Sequence, residues 1–446
     1  MFGSAGHLFE GIFHGFVLAA VSIKRRRLSA ILVIVTLAFG IGAFCATGSA
    51  LLVLGADPLE GRGRSIFHPQ LDPRPLHARE SSVEPPDDMN LADARNVYRM
   101  AEGLPRVITS QNWLPLMGQG ANGAIARMSI TRATTRDFFA MFGAHMKYGA
   151  AWSPLQDTDR ERVIVLSAAA NQSIFGGENS VGRQLAIATK AMTVVGVLRP
   201  WRVAPKIYDL NDGPFSEPEE IFMPFETWLD LPQDYGYEPM RCFGASDEES
   251  HDPSDDHCTW VQSWVTLPEG RAATFAQQLA AYSRDQKQSG SYGRLPNVRL
   301  RSVTEWLEYK DVVPASSKAQ FWVALGLLLA CLITVSGLQG VSFRARFPEL
   351  GVRRAMGASR AAIVWQLVVE GSVLGFFGGV LGIVISVLGI FLLRMSPENY
   401  ASYIELDAKM VFASVALGVF TMLATSFLPA VRASAVPPYR QMQMTG

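Results

Sequence analysis

The residues best placed to do chemistry lie in an acidic stretch bounded by Cys242 and Cys258. In an oxidising compartment these cysteines would form a disulfide. Closing a loop of 16 residues would stabilise the fold by about 3 kcal/mol, because the unfolded chain loses entropy. The alternative is a metal site in which His251, Asp255, His257 and Cys258 are the ligands. We favour the disulfide, because His and Asp residues in such an acidic loop are more often solvated surface.

Motifs for catalysis are missing from the sequence. It contains neither the Gly-x4-Gly-Lys-Ser/Thr phosphate loop nor the His-Glu-x-x-His zinc motif. Histidine does not occur after His257, so the hydrophobic runs beyond it carry no imidazole ligand or proton relay. These features predict a chain that is not an enzyme and has no energy source of its own.

Glu370 is the one charged side chain among the hydrophobic runs. A lone carboxylate is costly to bury in a membrane, so we expect it to pair with Arg344 or Arg346 or to be protonated. A structural anchor is the favoured role, and a substrate or proton site is the alternative.

The composition indicates a membrane protein. The chain has 446 residues, of which 49% are hydrophobic and 18% are charged, whereas soluble proteins carry about 25% charged residues. The 40 basic and 40 acidic side chains cancel, so no global positive field would hold a polyanion and we expect no nucleic-acid partner.

Four charge-free stretches are long enough to cross a bilayer, which takes about 20 helical residues. The short segment 344–360 carries five arginines, which places it and both termini in the cytoplasm by the positive-inside rule. Residues 57–318 then lie outside, with 34 acidic and 27 basic residues. The predicted order is a cytoplasmic amphipathic helix and basic flank (1–27), transmembrane helix 1 (28–56), an external α+β domain in two lobes (57–318), transmembrane helix 2 (319–343), a cytoplasmic helix (344–360), transmembrane helix 3 (361–393), an external loop (394–409), transmembrane helix 4 (410–431) and a cytoplasmic tail (432–446).

Within the external domain, residues 57–90 are rich in Pro, Arg and acidic residues and predict an extended stem. Strand and helix patterns alternate beyond it. Ala124–Arg132 predicts a half-buried strand with Ala126, Met128 and Ile130 on its apolar face.

The cytoplasmic segment predicts a short helix. Pro348 and Glu349 suit its first turn, Gly357 suits its end, and Ser359 can cap the following span. Such a helix could dock into a partner, or it could be a simple connector between two spans. The residues concerned are Pro348, Glu349, Leu350, Gly351, Val352, Arg353, Arg354, Ala355, Met356, Gly357, Ala358 and Ser359.

Small residues repeat every fourth position in two of the spans, a pattern that allows close helix packing in lipid. The contacts could be with neighbouring spans or with a second copy of the chain. We expect the first stripe to form a dimer contact. The stripes are Ala38, Gly42, Ala46 and Ala50 in the first span and Gly371, Gly375 and Gly379 in the third.

Residues 349–359, followed by Glu370 and a glycine-rich span, resemble the permease pattern of the MacB/FtsX family of ABC transporters. Residues 429–433 with Pro437 resemble the closing motif of that family. Residues 163–167, 175–177, 181–183 and 193–198 resemble its MacB-type periplasmic core domain. Residues 57–120 and 200–295 match no such pattern.

The resemblance implies a permease subunit in the inner membrane of a bacterium, with residues 57–318 in the periplasm. Two copies of a separate ATPase subunit would bind ATP and Mg²⁺, and this chain would bind no cofactor. The ATPase would contact residues 348–359, beside the amphipathic helix at 7–20, and would drive the periplasmic domain by mechanotransmission.

Further partners implied by the resemblance are a second permease subunit, identical or paralogous, a membrane-fusion protein, an outer-membrane channel and the lipid bilayer. The expected function is export of a peptide, an antibiotic or a lipid-like molecule. The alternatives are release of lipoproteins and non-transporting control of a periplasmic partner, as in FtsX-like proteins.

Overall fold

The computed structural model describes residues 27–55, 58–59, 61–76, 78, 82–121, 123–231, 240–243, 252–395 and 408–435. The chain divides into two compact units, one made of residues 1–55 and 313–446 and the other of residues 56–312. The amphipathic helix expected at residues 7–20, the candidate ligand His251, most of the loop 394–409 and Pro437 lie outside the described residues.

The helices are α1 (Arg27–Leu54), α2 (Leu91–Met100), α3 (Asp137–Met141), α4 (Pro154–Thr158), α5 (Ala168–Phe175), α6 (Phe225–Leu229), α7 (Ala272–Ser289), α8 (Val303–Tyr309), α9 (Ala315–Arg344), α10 (Phe347–Ala355), α11 (Arg360–Arg394) and α12 (Ala408–Ala435), with a 3-10 turn at Arg62–Arg64. The strands are β1 (Ile66–Leu71), β2 (Arg106–Gly120), β3 (Gly123–Thr134), β4 (Met146–Gly149), β5 (Val163–Leu166), β6 (Gln184–Ile187), β7 (Lys190–Leu198), β8 (Ile221–Pro224), β9 (Arg241–Cys242), β10 (Cys258–Thr259), β11 (Gln262–Thr266) and β12 (Val298–Ser302).

The first unit is a bundle of four long apolar helices, α1, α9, α11 and α12, each long and apolar enough to cross a membrane. Helix α11 packs against α1 and α12, and α9 packs against α1. Leu37, Ile41, Val335 and Met422 are buried where these helices meet. The outward faces carry exposed Leu, Ile, Val and Phe side chains, as expected of helices that lie in lipid.

The second unit is built on one ten-stranded sheet in the order β12-β1-β11-β2-β3-β8-β5-β7-β4. Strand β6 pairs with both β2 and β7. The pairings of β2, β3, β8, β5, β7 and β6 therefore form a closed cycle. Two hydrophobic clusters pack on this sheet, one against α2 and α7 and one rich in aromatic rings around Phe138 and Trp264.

Strand β1 lies inside the segment that the sequence predicted as an extended stem. Residues 67–71 pair with β12 and residues 66–67 pair with β11, and Leu71 is fully buried. The stem prediction is wrong for this stretch, because residues 66–71 form a strand of the sheet in which Pro69 has a paired neighbour on the β12 side only, as proline tolerates. Helix α2 follows Asn90, whose side chain accepts a hydrogen bond from the Asp93 N–H at 2.7 Å and caps the helix.

The predicted fold class is confirmed. The protein is an α-helical membrane protein with four spanning helices and a large α+β domain inserted between the first and the second.

Candidate functional site

A bidentate ion pair joins the turn after α9 to helix α11. Arg346 Nη1 lies 2.6 Å from Glu370 Oε2, and Nη2 lies 2.7 Å from Oε1. The two side chains keep only 10% and 12% of their surface exposed. Of the two arginines that the sequence offered as partners for Glu370, the structure uses Arg346, and the pair satisfies a carboxylate that would otherwise be costly in this position.

Helix α10 follows that turn and is fastened to α11 by a second polar contact. Arg353 donates from Nη1 to Gln366 Oε1 at 3.0 Å, and from Nη2 to Glu349 Oε1 at 2.9 Å, which is an i,i+4 pair on α10 itself. Gly357 has a φ of +99°, the left-handed conformation that glycine adopts most easily after a helix end. The Ser359 hydroxyl accepts the Ala362 N–H at 3.2 Å and caps α11.

The predicted docking residues divide between helix and turn. Residues 348–355 lie in α10, and residues 356–359 form the connection to α11. Gly351 is buried, whereas Val352 is 49% exposed and Met356 is 76% exposed. Met356 directly follows α10, and its N–H donates to the Val352 carbonyl oxygen at 3.0 Å, so the two side chains keep the i,i+4 spacing of neighbours on one helix face. An apolar surface is therefore held on a short helix with two polar attachments to the bundle.

The small residues of α1 pack within the chain. A Cβ added at Gly42 would lie 2.6 Å from Ile385 Cγ2 on α11, and Ala46 Cβ lies 3.3 Å from the position that a Cβ on Gly389 would take. Ala38, Ala46 and Ala50 are all buried. The stripe therefore packs at Gly42 and Ala46 against α11 of the same chain, and a contact of α1 with a second permease subunit stays a prediction.

The stripe on α11 faces α12. A Cβ on Gly371 would lie 2.6 Å from Ser426 Oγ, and one on Gly375 would lie 2.5 Å from the Gly418 carbonyl oxygen. Gly379 approaches Val415 in the same way and accepts a hydrogen bond from Ser414 Oγ at 3.2 Å. Helix α11 therefore has a close neighbour on two sides, with no space for a methyl group at these glycines.

In the second unit, Cys242 and Cys258 form a disulfide at paired positions of β9 and β10. The Cys258 sulfur is therefore not available as a metal ligand, and the alternative metal site loses one of its four candidates. In the part of the chain that the structure describes, no group of three or more His, Cys, Asp and Glu side chains could hold a metal ion.

A buried ionic network crosses the sheet of the second unit, and sequence reasoning missed it. Arg132 is fully buried and forms ion pairs with Glu219 and with Asp209 Oδ2, the latter at 2.7 Å. Lys206 Nζ lies 3.0 Å from Glu219 Oε1, and the Tyr208 hydroxyl donates to Glu219 Oε2 at 3.0 Å. Burial alone would raise the pKa of Glu219, but the charges of Arg132 and Lys206 outweigh it and lower the pKa to about 2.

Asp88 lies beside this network, and its pKa is raised, whereas that of Glu219 is lowered. Burial raises its pKa to about 7, and the neighbouring charges of Asp209 and Asp87 add to the effect. Asn211 donates to Asp88 Oδ2 at 3.0 Å. The carboxyl group of Asp88 therefore changes charge near neutral pH.

Comparison with known proteins places the chain in a family. Residues 30–282, more than half of the chain, match the family model of the MacB-like periplasmic core domain. Residues 321–438 match that of the FtsX-like permease C-terminal domain. The chain belongs to this family of ABC transporter permeases, and the resemblance noted in its sequence is confirmed.

Curated relatives include the macrolide export ATP-binding/permease protein MacB of Salmonella paratyphi A, 21% identical over 310 residues. The pyoverdine export ATP-binding/permease protein PvdT of Pseudomonas entomophila is 25% identical over 317 residues. Each alignment covers 68% of this chain and 41% of the relative, so the chain spans about two fifths of the length of the curated relatives it matches.

Among solved structures, the periplasmic region of MacB from Actinobacillus actinomycetemcomitans aligns at 13% identity with a TM-score of 0.35, covering 57% of this chain and 97% of that one. The extracellular domain of the transporter YknZ from Gram-positive bacteria aligns at 10% identity with a TM-score of 0.33, covering 52% and 99%.

Proposed function

We propose that this chain is the transmembrane subunit of an ABC exporter and is moved by an ATPase that it does not itself contain. The ATPase would bind the exposed face of α10 that includes Val352 and Met356. Its ATP-driven movement would displace α10 and α11, and the spans would pass the displacement to the domain of residues 57–318. The observation that carries the proposal is the attachment of α10 to α11 through Arg353 and Gln366, beside the Arg346–Glu370 ion pair.

The stiffness of the attachment between α10 and α11 determines whether a push on α10 is passed on. A flexible connector would absorb a push, whereas a helix tied by side-chain hydrogen bonds moves with the element to which it is tied. Helix α11 has 35 residues and is about 50 Å long at 1.5 Å per residue, which exceeds a bilayer core of about 30 Å. A displacement at one end of such a helix can therefore reach the other side of the membrane.

The proposed setting is the inner membrane of a bacterium, with both termini in the cytoplasm and residues 57–318 in the periplasm. The arginine-rich segment 344–360 supports a cytoplasmic position for α10. The Cys242–Cys258 disulfide supports an oxidising compartment for the second unit. The ATPase is expected as two separate subunits that bind ATP and Mg²⁺, together with a second permease subunit.

The proposed substrate is a peptide, an antibiotic or a lipid-like molecule carried outward. Support comes from the names of the relatives, which describe macrolide export and pyoverdine export. A membrane-fusion protein and an outer-membrane channel are the further partners of such an exporter.

The test is affinity purification of the tagged chain from its native membranes, followed by an assay of ATP hydrolysis. We expect an ATPase to co-purify with the wild-type chain, and we expect no hydrolysis from the chain made alone. Val352→Asp and Met356→Asp should each release the ATPase, because a charge on the apolar face opposes docking. Leu155→Asp is the matched control, since Leu155 is 72% exposed and lies on α4 of the other unit.

Two results would contradict the proposal. One is ATP hydrolysis by the chain alone, and the other is retention of the ATPase by both α10 variants. If hydrolysis by the complex responds only to a lipoprotein or to a periplasmic protein partner, and not to small amphipathic compounds, lipoprotein release or FtsX-like control replaces export.

A further inference from the structure

A cavity in the second unit is lined by an excess of arginine. Its volume is ≈ 640 Å³, within the range of about 300–1,000 Å³ that is usual for small-molecule sites. Five arginines and three carboxylates line it. The wall thus carries an excess of two positive charges when all eight groups are ionised. It is formed by α2, α4 and α6 together with the first residues of β2 and the turn before α3.

Two of the five arginines are neutralised by ion pairs. Arg95 Nη2 lies 2.7 Å from Glu226 Oε1 and donates to Oε2 at 2.9 Å. Arg160 lies 2.6 Å from Asp230 Oδ1 and 3.3 Å from Glu226 Oε2. These pairs join α2 and the residue after α4 to α6, and they fix one side of the cavity.

The other three arginines have no carboxylate within ion-pair distance among the described residues. Arg106 donates from Nη1 to the Tyr98 carbonyl oxygen at 2.6 Å, and its guanidinium lies 4.1 Å from the centre of the Tyr98 ring. Arg99 donates to Asn96 Oδ1, and Arg136 is exposed. Their partners are a carbonyl, an amide and solvent, so their charge remains available to an anion.

Apolar groups supply the rest of the wall. Pro154 and the half-buried ring of Tyr98 supply its exposed apolar surface, while Ile108 and Phe225 are only 4% and 1% exposed. A free inorganic anion would leave this surface without a partner, whereas an organic body would cover it. Arginine matches a carboxylate through two parallel N–H···O bonds, which favours ligands with planar oxyanion groups.

From this arrangement we infer a binding site for an organic anion that carries two or more carboxylate groups on a compact apolar body. Arg99, Arg106 and Arg136 bind the carboxylates, and Pro154 and the ring of Tyr98 contact the body. The inference concerns the second unit alone and does not depend on the coupling role proposed for α10.

The carboxyl group of Asp157 makes the site sensitive to pH. Burial raises the pKa of Asp157 to about 6, the charges of Glu226 and Asp137 add to this, and a hydrogen bond from the Arg136 backbone opposes it. Asp137 and Glu226 are the other carboxylates of the wall, and Tyr98 is the remaining titratable group. Protonation of Asp157 below pH 6 removes one negative charge from the wall, so an anion should bind more tightly at pH 5 than at pH 8.

The test is isothermal titration of the full chain in a nonionic detergent with benzene-1,3,5-tricarboxylate as the probe. Benzene-1,3,5-trimethanol is the neutral control of similar shape, and inorganic phosphate tests for a simple anion site. We expect saturable one-to-one binding of the tricarboxylate that weakens as salt screens the charges. Phosphate should bind at least about tenfold more weakly, and the triol should not bind. Arg99→Gln and Arg136→Gln should each weaken binding by about tenfold, the usual effect of losing one charge-assisted hydrogen bond.

Arg99 and Arg136 are exposed, so these substitutions should leave the fold intact, which the unfolding temperature will show. Arg284→Gln is the matched control, because Arg284 is exposed on α7 and does not line the cavity. The inference is overturned if the tricarboxylate fails to bind at about 10 mM, a concentration about tenfold above a dissociation constant of ~1 mM. It is also overturned if the triol or phosphate binds as tightly, or if Arg284→Gln weakens binding as much as Arg136→Gln.

Discussion

Breaking the Arg346–Glu370 ion pair should destabilise the spanning unit, and by different amounts when Arg346 or Glu370 is replaced. Removing one partner of a buried ion pair costs about 3–5 kcal/mol. Because about a tenth of each side chain is still exposed, we expect a cost at or just below the low end of that range, ~2–3 kcal/mol. For a unit of this size, 1 kcal/mol corresponds to about 2–4 °C, so the unfolding temperature should fall by about 4–12 °C.

The asymmetry follows from the chemistry of the two side chains. After Glu370→Gln, the long Arg346 side chain can turn toward water and keep its charge solvated. After Arg346→Gln, the shorter Glu370 side chain on α11 has less reach toward water and loses the guanidinium that neutralises it, which favours its protonation. Arg346→Gln should therefore cost more than Glu370→Gln. The double variant should recover about 1.5–3 kcal/mol relative to the sum of the two single variants.

The chain contains its own reporter for this measurement. Cys331 is buried in α9 and Cys45 is partly buried in α1, while the other two cysteines are in the disulfide. A thiol-reactive dye will label these two residues as the bundle opens with temperature. Arg360→Gln is the control, because Arg360 is exposed at the start of α11. If both single variants unfold within about 1 °C of the wild type, or if their effects add in the double variant, the ion pair is not an anchor.

Three further perturbations test other parts of the structure. Replacing Cys242 and Cys258 by serine should cost about 3 kcal/mol by the chain-entropy estimate, seen as faster proteolysis of the second unit, and reduction of the wild type should have the same effect. Gly375→Ala should lower the unfolding temperature, because the new methyl group would meet the backbone of α12, whereas Gly326→Ala in α9 meets nothing within 4 Å and should be neutral. Asp88→Asn should stabilise the protein by ~2–4 kcal/mol at pH 8 and by less than half as much at pH 5. The folded-state pKa is raised from 3.8 to about 7, so stability is lost as the pH rises from about 4 to about 7; equal effects at both pH values would contradict this.

The spanning unit could be predicted from sequence because its signals are local. Each span is a continuous apolar run, and proline, glycine and serine mark the ends of α10 within a dozen residues. The same local signals limited the candidate partners of Glu370 to Arg344 and Arg346. Which surfaces the small-residue stripes contact could not be read in this way, because lipid, a neighbouring span and a second copy all accept the same pattern.

In the sheet of the second unit, the alternation of apolar and polar residues did not predict which side chains are buried. The sequence placed Ala126 and Met128 on the apolar face of a half-buried strand, yet both are exposed, and Ser129 and Arg132 are buried. The burial of Arg132 is explained by the ionic network. A guanidinium can be buried when carboxylates satisfy it, and Glu219, the main partner of Arg132, lies 87 residues away in the sequence. No local window contains both members of such a pair.

The tight packing of α11 determines which helices would move with it when α10 is displaced. At Gly371, Gly375 and Gly379 the backbone of α12 or its side chains lie where a methyl group would be, and at Gly42 the contact with α1 is equally close. Interfaces packed to this density do not slide continuously, because each intermediate position would overlap atoms or open a void. Helices α1, α11 and α12 should therefore shift together. Helix α1 leads into residues 56–312 in the chain, so in the proposed mechanism a displacement of α11 that carries α1 with it would act at the start of the second unit.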